Sequence, residues 1–203
     1  MLFRSGPERA RARLAEVWTG IAKAAAPDLL RLNPLLAGMQ RSGALSRIAT
    51  LFSPYDFNPL GFDPLRRVLE ATVDFALLRT TKGPELLIAA TDIASGRARL
   101  FRRAELTVEA VLASACLPTV HHAVAIEGRA YWDGGFSANP ELLTLARESP
   151  VSDTLIVQLS PLSIPHRPTS ARDIAAHVAH VTFNQPYVRD LDEIVAEIGR
   201  AHV

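Results

Sequence analysis

Apolar positions change their spacing several times along this chain, and each change marks an element. From Pro7 to about Ala26, Leu14, Val17, Trp18 and Ile21 recur at helical spacing, while Arg9, Arg11 and Arg13 occupy the remaining circumference. The pattern predicts a helix whose arginines form a solvated face. Residues 27–63 hold Pro27, Pro34, Pro54 and Pro59 and read as short helical pieces broken by turns, a candidate lid or surface excursion. A second helix is predicted from Pro64 to about Val73, with Leu65, Val68, Leu69 and Thr72 on its buried side.

The period then shortens. Glu85 to Thr91 is mainly apolar and suits a strand covered on both faces. Asp92-Ile-Ala-Ser-Gly96 reads as a turn, and Arg97 to Phe101 returns with alternating character as an edge-like strand. Thr107 is placed to cap a helix that ends before Pro118, with Glu109 near its positive end. Arg129 to Trp132 alternates again as a strand. A helix is expected from Pro140 to about Glu148, a core strand over Asp153–Ser160, and a final helix opening at Thr169 to Ile174. Neither a repeat nor a low-complexity segment interrupts the series. This alternation predicts a mixed α/β sandwich with helices on both faces of a mainly parallel sheet.

Composition fits one globular domain or part of one. The 203 residues are 48% hydrophobic and 21% charged, enough to bury a sizeable core. A net charge of +1 gives no electrostatic case for nucleic acid, and a pI near 8.0 is compatible with anionic lipid headgroups. Lys23 and Lys82 are the only lysines among 22 basic residues, a skew that points to a GC-rich bacterial genome. Cys116 has no second cysteine to pair with and reads as a small core residue. With no 18-residue apolar run and no apolar signal segment after Met1, the expected location is the cytoplasm or the periphery of a membrane.

The candidate chemistry lies in Arg129-Ala-Tyr-Trp-Asp-Gly-Gly-Phe-Ser-Ala-Asn-Pro140. Asp133 stands where a strand ends and two glycines turn the chain, the end at which α/β enzymes keep their reactive groups. Gly134 and Gly135 are expected to supply positive φ angles and close backbone approach. Asp-Gly-Gly is also ordinary turn chemistry, so the motif alone leaves both readings open.

Three stretches taken in order narrow the choice. Glu85-Leu-Leu-Ile-Ala-Ala-Thr-Asp92, Ala104 to Pro118 with its Ala-Ser-Ala-Cys-Leu-Pro ending, and Ala125 to Gly135 together resemble the patatin-like phospholipase family. Phe52 to Leu60 and Asn184-Gln-Pro186 are similar to a bacterial branch of it. The resemblance runs from about residue 50 to 160. It implies a three-layer α/β/α sandwich and a Ser-Asp dyad cleaving lipid or phospholipid esters, with no cofactor and no metal. Asp133 would be the general base, within the Asp133-Gly134-Gly135 motif. The partners implied are a lipid substrate and peripheral contact with a membrane.

Such an enzyme also needs a serine on a Gly-x-Ser-x-Gly elbow and a glycine-rich oxyanion loop. Neither occurs in this sequence. Ser137 follows the aspartate motif directly and lacks the second glycine, and Ser114 sits inside a helical run, where serine is usually a packing residue. In the family both elements lie ahead of the position matched by Met1, which implies a chain that starts downstream of the elbow. The last seven residues, Glu197 to Val203, translate GAGATCGGAAGAGCACACGTC, a string containing a common sequencing-adapter sequence. Residues 1–196 are therefore expected to be the carboxyl-side portion of a single patatin-like domain, incomplete at both ends, with 197–203 an artefact. The rival readings are a non-catalytic relative that binds lipid or a protein, and an unrelated α/β module in which Asp133 only shapes a turn.

Other polar residues weigh less. His121 and His122 are adjacent, so on a strand they point to opposite faces and cannot share a metal. His177 and His180 are spaced i, i+3 on a predicted helix, without an evident third ligand. Asp92 ends a strand as Asp133 does, and a turn-forming role before Ile-Ala-Ser-Gly is the better reading.

Overall fold

The computed structural model describes residues 6–24, 53–61, 63–150, 153–159 and 161–201. Most of the proline-rich segment read as a lid or surface excursion lies outside these residues; within it Pro54–Phe57 forms one helical turn. In order, the described elements are α1 (Pro7–Ala24), α2 (Pro54–Phe57), α3 (Pro64–Thr72), α4 (Phe75–Thr80), β1 (Leu87–Asp92), β2 (Ala98–Arg102), α5 (Val108–Ser114), β3 (Val124–Ile126), β4 (Arg129–Asp133), α6 (Leu142–Glu148) and α7 (Ala171–Ala201). Single 3-10 turns occupy Arg103–Glu105 and Gly134–Phe136.

The helix starts follow from their capping residues. Asp63 accepts from the Leu65 and Arg66 amides ahead of α3, whose first residue is Pro64, and Thr107 accepts from the Ala110 amide at α5. α3 buries Leu69 and packs against α5 on one side and α1 on the other. On α1 the expected apolar face is only partly covered. Leu14 and Trp18 are 56% and 61% exposed, because contact with α3 is made near Gly20, whose bare Cα lies against Val68.

The sheet is mixed with helices as expected, but its described strands are all antiparallel, in the order β2-β1-β4-β3. The expectation of a mainly parallel sheet is corrected here, and the reason is connection length. β1 and β2 are joined by a tight turn at Asp92–Arg97, and β3 and β4 by Glu127-Gly128 alone, with φ values of 50° and 77°. Parallel neighbours need a crossover of a dozen residues or more, so short links of this kind make hairpins. The two hairpins then join through β1 and β4, with Ala90 opposite Asp133 and Asp92 opposite Tyr131.

One face of this sheet carries the core. Ala90, Phe101 and Tyr131 meet Leu106, Ala110 and Ala113, so α5 seals the middle of the sheet. Leu78, Leu86, Ile88, Val124 and Ile126 extend the apolar contact at its rim. Phe101 and Tyr131 pack edge to face at 5.9 Å.

The strand expected over Asp153–Ser160 does not form. Residues 153–159 have no regular structure, and Leu155, Val157 and Leu159 are 90%, 81% and 96% exposed. Alternation makes a segment able to pair, but no described strand lies alongside it to supply the hydrogen bonds. α7 begins close to where its opening residues predict and runs through Ala201, carrying Pro186 within it.

Candidate active site

Asp133 is the last residue of β4 and the cap of the turn that follows, and its backbone is tied at both ends. Its N–H donates to the Cys116 carbonyl at 2.9 Å, and its carbonyl accepts from the Thr91 hydroxyl at 2.7 Å. The same Thr91 oxygen lies 2.8 Å from the Ser137 hydroxyl, so the far side of the turn is tied to β1 as well. Thr91 is opposite Trp132 in the β1–β4 register, which is why its side chain reaches this backbone.

The carboxylate is half-buried. Its Oδ1 accepts from the Gly135 amide at 2.7 Å, and its Oδ2 has no hydrogen bond among the described residues. Desolvation pushes its pKa above the usual aspartate range; the Gly135 N–H and the neighbouring His121 pull the other way without cancelling the burial. A carboxylate with one oxygen anchored and the other open is an arrangement that can accept a proton.

The two glycines are needed for close approach and not for their φ angles. Neither has a positive φ; the described glycines that do are Gly6, Gly61, Gly96 and Gly128. They are small because of what lies against them. Gly134 faces the backbone of Ala89 on β1, and a side chain on Gly135 would enter the Phe183 ring from α7 and crowd the Asp133 carboxylate. The close-approach half of the expectation thus holds, with β1 and α7 as the neighbours. Phe183 in turn packs at a tilt against Phe136, with ring centres 4.7 Å apart, and Phe136 lies 6.4 Å from Trp132. No periodicity in the sequence marks Phe183 as a partner of residue 135.

Beside Asp133 lies a small pocket lined by Asp63, Leu112, Cys116, His121, His122 and Val124, among others. His122 stacks on Tyr55 at 4.0 Å and its Nε2 is 3.2 Å from the Pro54 carbonyl, a packing role. His121 Nδ1 accepts from the Leu117 amide at 3.3 Å. Cys116 is buried, its thiol donates to the His122 carbonyl, and burial pushes its pKa up to about 11, so it is a packing residue here and no nucleophile.

Other sequence candidates are not brought to this place. Ser114 is helical and its hydroxyl donates to the Val111 carbonyl at 2.8 Å. His177 and His180 share a helix face with ring centres 6.2 Å apart, and His166 approaches His177 at 6.5 Å, a neighbour that spacing could not reveal. Among the described residues no three ligating side chains are placed to hold a metal. Asp92 shapes its turn, accepting from the Ser95 amide and hydroxyl, and it also binds Arg129 Nε at 2.8 Å.

Among the described residues no helix is long and apolar enough to cross a membrane. No curated protein gives a significant match to the chain. A family model described as patatin-like phospholipase matches residues 4–146, a span that contains β1 to β4, the Asp133 turn and the pocket beside it. By that match over most of its length, and with the Asp-Gly-Gly turn in place, the chain belongs to the patatin-like phospholipase family of lipid acyl hydrolases.

Proposed function

We propose that Asp133 is the general base of a Ser-Asp dyad that hydrolyses lipid or phospholipid esters. One observation carries this reading: the Asp133 carboxylate is half-buried and anchored through Oδ1, while Oδ2 has no protein partner among the described residues. In the reaction a serine oxygen bonds to the ester carbonyl carbon as its proton passes to Asp133. The carbonyl electrons move onto the oxyanion, and their return expels the alcohol, which takes the proton from Asp133. Water then repeats the sequence on the acyl-serine. Desolvation favours the proton-accepting step because it makes the carboxylate a stronger base than in water.

The reaction needs a serine that no Gly-x-Ser-x-Gly within these 203 residues supplies. Residues 1–196 are read as part of one patatin-like domain, and the 203-residue chain alone is expected to turn over no ester. The test uses a chain extended to include a nucleophile elbow and its glycine-rich loop. Asp133→Asn in that protein should abolish most turnover without loss of fold; turnover close to that of the parent would remove Asp133 from the role.

A further inference from the structure

We propose that the cleft formed by Arg97, Arg129 and Tyr131 at the hairpin end of the sheet binds a phosphate group. The inference does not rest on the role of Asp133. An open cleft of about 590 Å³ is lined there by Asp92, Ser95, Arg97, Arg99, Arg129 and Tyr131.

The β register explains why these side chains converge. Ala90 is opposite both Arg99 and Asp133, and Asp92 is opposite Tyr131, while the Asp92 amide closes the hairpin on the Arg97 carbonyl at 2.9 Å. Directly opposed residues, and residues two apart on a strand, share a face. Asp92, Arg97, Arg99, Arg129 and Tyr131 therefore stand on the face that α5 seals further along, and there the cleft begins. Asp133 ends the same strand four residues after Arg129, roughly 13 Å away at the usual rise, so this is not the place of ester cleavage.

What distinguishes the cleft is an excess of donors without acceptors. Asp92 is its one lining carboxylate, and both its oxygens are taken, Oδ1 by Ser95 and Oδ2 by Arg129 Nε. That bond fixes the Arg129 guanidinium and leaves both Nη groups without a protein acceptor among the described residues. The Arg97 guanidinium has no acceptor among them either. Tyr131, 4% exposed and packed against Phe101, also lines the cleft, and its hydroxyl has no hydrogen-bond partner among the described residues. Arg99 is already committed: it lies 4.7 Å over the Phe101 ring and pairs with Glu105. It adds positive charge at the wall. A planar guanidinium fork, a second free guanidinium and a phenolic O–H together match an anion with several acceptor oxygens, and a phosphate group offers that set.

Two sources carry the same chemistry, a phospholipid headgroup and a soluble phosphate ester. The 203-residue chain is titrated calorimetrically with inorganic phosphate and, separately, co-sedimented with vesicles of phosphatidylcholine with and without phosphatidic acid. Arg97→Gln should weaken binding by roughly 10 to 100-fold, the range of a hydrogen bond to a charged group, and Tyr131→Phe should weaken it by several-fold while keeping the ring in the core. Neither substitution touches the Asp92–Arg129 pair, so thermal melts should match the parent. Arg11→Gln on α1 should change nothing. Vesicle binding that requires phosphatidic acid and is displaced by phosphate identifies a headgroup; phosphate binding without vesicle binding identifies a soluble ester. The proposal is overturned if neither phosphate nor phosphatidic acid vesicles bind. It is equally overturned if binding is insensitive to both cleft substitutions, or if Arg11→Gln weakens it as much as Arg97→Gln.

Discussion

A Cβ placed on Gly134 would lie 2.2 Å from the carbonyl oxygen of Ala89, well inside any tolerable contact. The obstacle is backbone on β1 and cannot rotate away, so the register that sets Ala90 opposite Asp133 depends on residue 134 having no side chain.

Gly134→Ala is therefore expected to destabilise the fold by about 1–3 kcal/mol or more, the cost of overpacking a rigid neighbour. Urea unfolding followed by circular dichroism measures it. Gly6→Ala, where nothing lies within 4 Å, should cost less even though its φ is positive. Equal midpoints for parent and Gly134→Ala would mean that β1 and β4 are not held as described.

In a chain extended to include the nucleophile elbow, Asp133→Asn should lower kcat by roughly 100 to 10,000-fold, the worth of general-base assistance. The melt should not fall. An asparagine oxygen can still accept from the Gly135 amide, and the amide spares the cost of holding a charge in a half-buried place. A loss of activity accompanied by an equal loss of fold would assign the residue to turn formation instead.

The direction of the Asp133 shift fixes two pH dependences. Protonation removes the base, so the acid limb of kcat/KM in the extended chain should have its midpoint above about 3.9, the ordinary aspartate value. The stability effect has the opposite sense: a raised folded pKa favours the protonated native state, so this contribution is present at low pH and is lost as pH rises through that folded pKa. Unfolding free energies at several pH values for parent and Asp133→Asn would show the difference growing upward in pH; a difference that grows downward contradicts the shift.

Asp92 should behave inversely. Hydrogen bonds from Ser95 and Arg129 hold its carboxylate below the usual range, so its contribution is present above the unfolded pKa and disappears as pH falls through the folded one. Asp92→Asn should flatten the acid side of the stability profile below about pH 4. An unchanged profile would show that the Ser95 and Arg129 contacts do not persist in solution.

Cys116 should resist thiol reagents in the native protein. It is 2% exposed and its pKa is pushed up to about 11, so at neutral pH almost none of it is thiolate. Reaction with a chromogenic disulfide should proceed at the rate of unfolding and become immediate in denaturant. Rapid labelling without denaturant would contradict the packing around α5.

The local parts of this fold were legible in the sequence because their causes are local. Asp92 to Gly96, Thr107 and Pro64 each set a turn or a helix start with residues a few positions apart, and the structure places them so. The join of β1 to β4 was not legible, since nothing within either hairpin says which of its strands faces the other. The same holds at the candidate site. Asp133 stood out by its motif, whereas Thr91 beneath its carbonyl and Phe183 against Gly135 come from 42 and 48 residues away. The misreading of 153–159 has the same origin. Leu155, Val157 and Leu159 carry the period of a strand, and period alone does not provide a neighbour.

The three ties on Asp133 have a consequence for timing. With its N–H on Cys116, its C=O on Thr91 and Oδ1 on Gly135, the residue keeps little rotational freedom beyond a small swing of Oδ2. In the role proposed for it, an acceptor so fixed would be preorganised during folding, once, and would not have to search for its orientation or drag solvent with it at each turnover. Loosening Thr91, which touches no reacting atom, should then slow the chemical step while leaving the acid midpoint where Asp133 sets it.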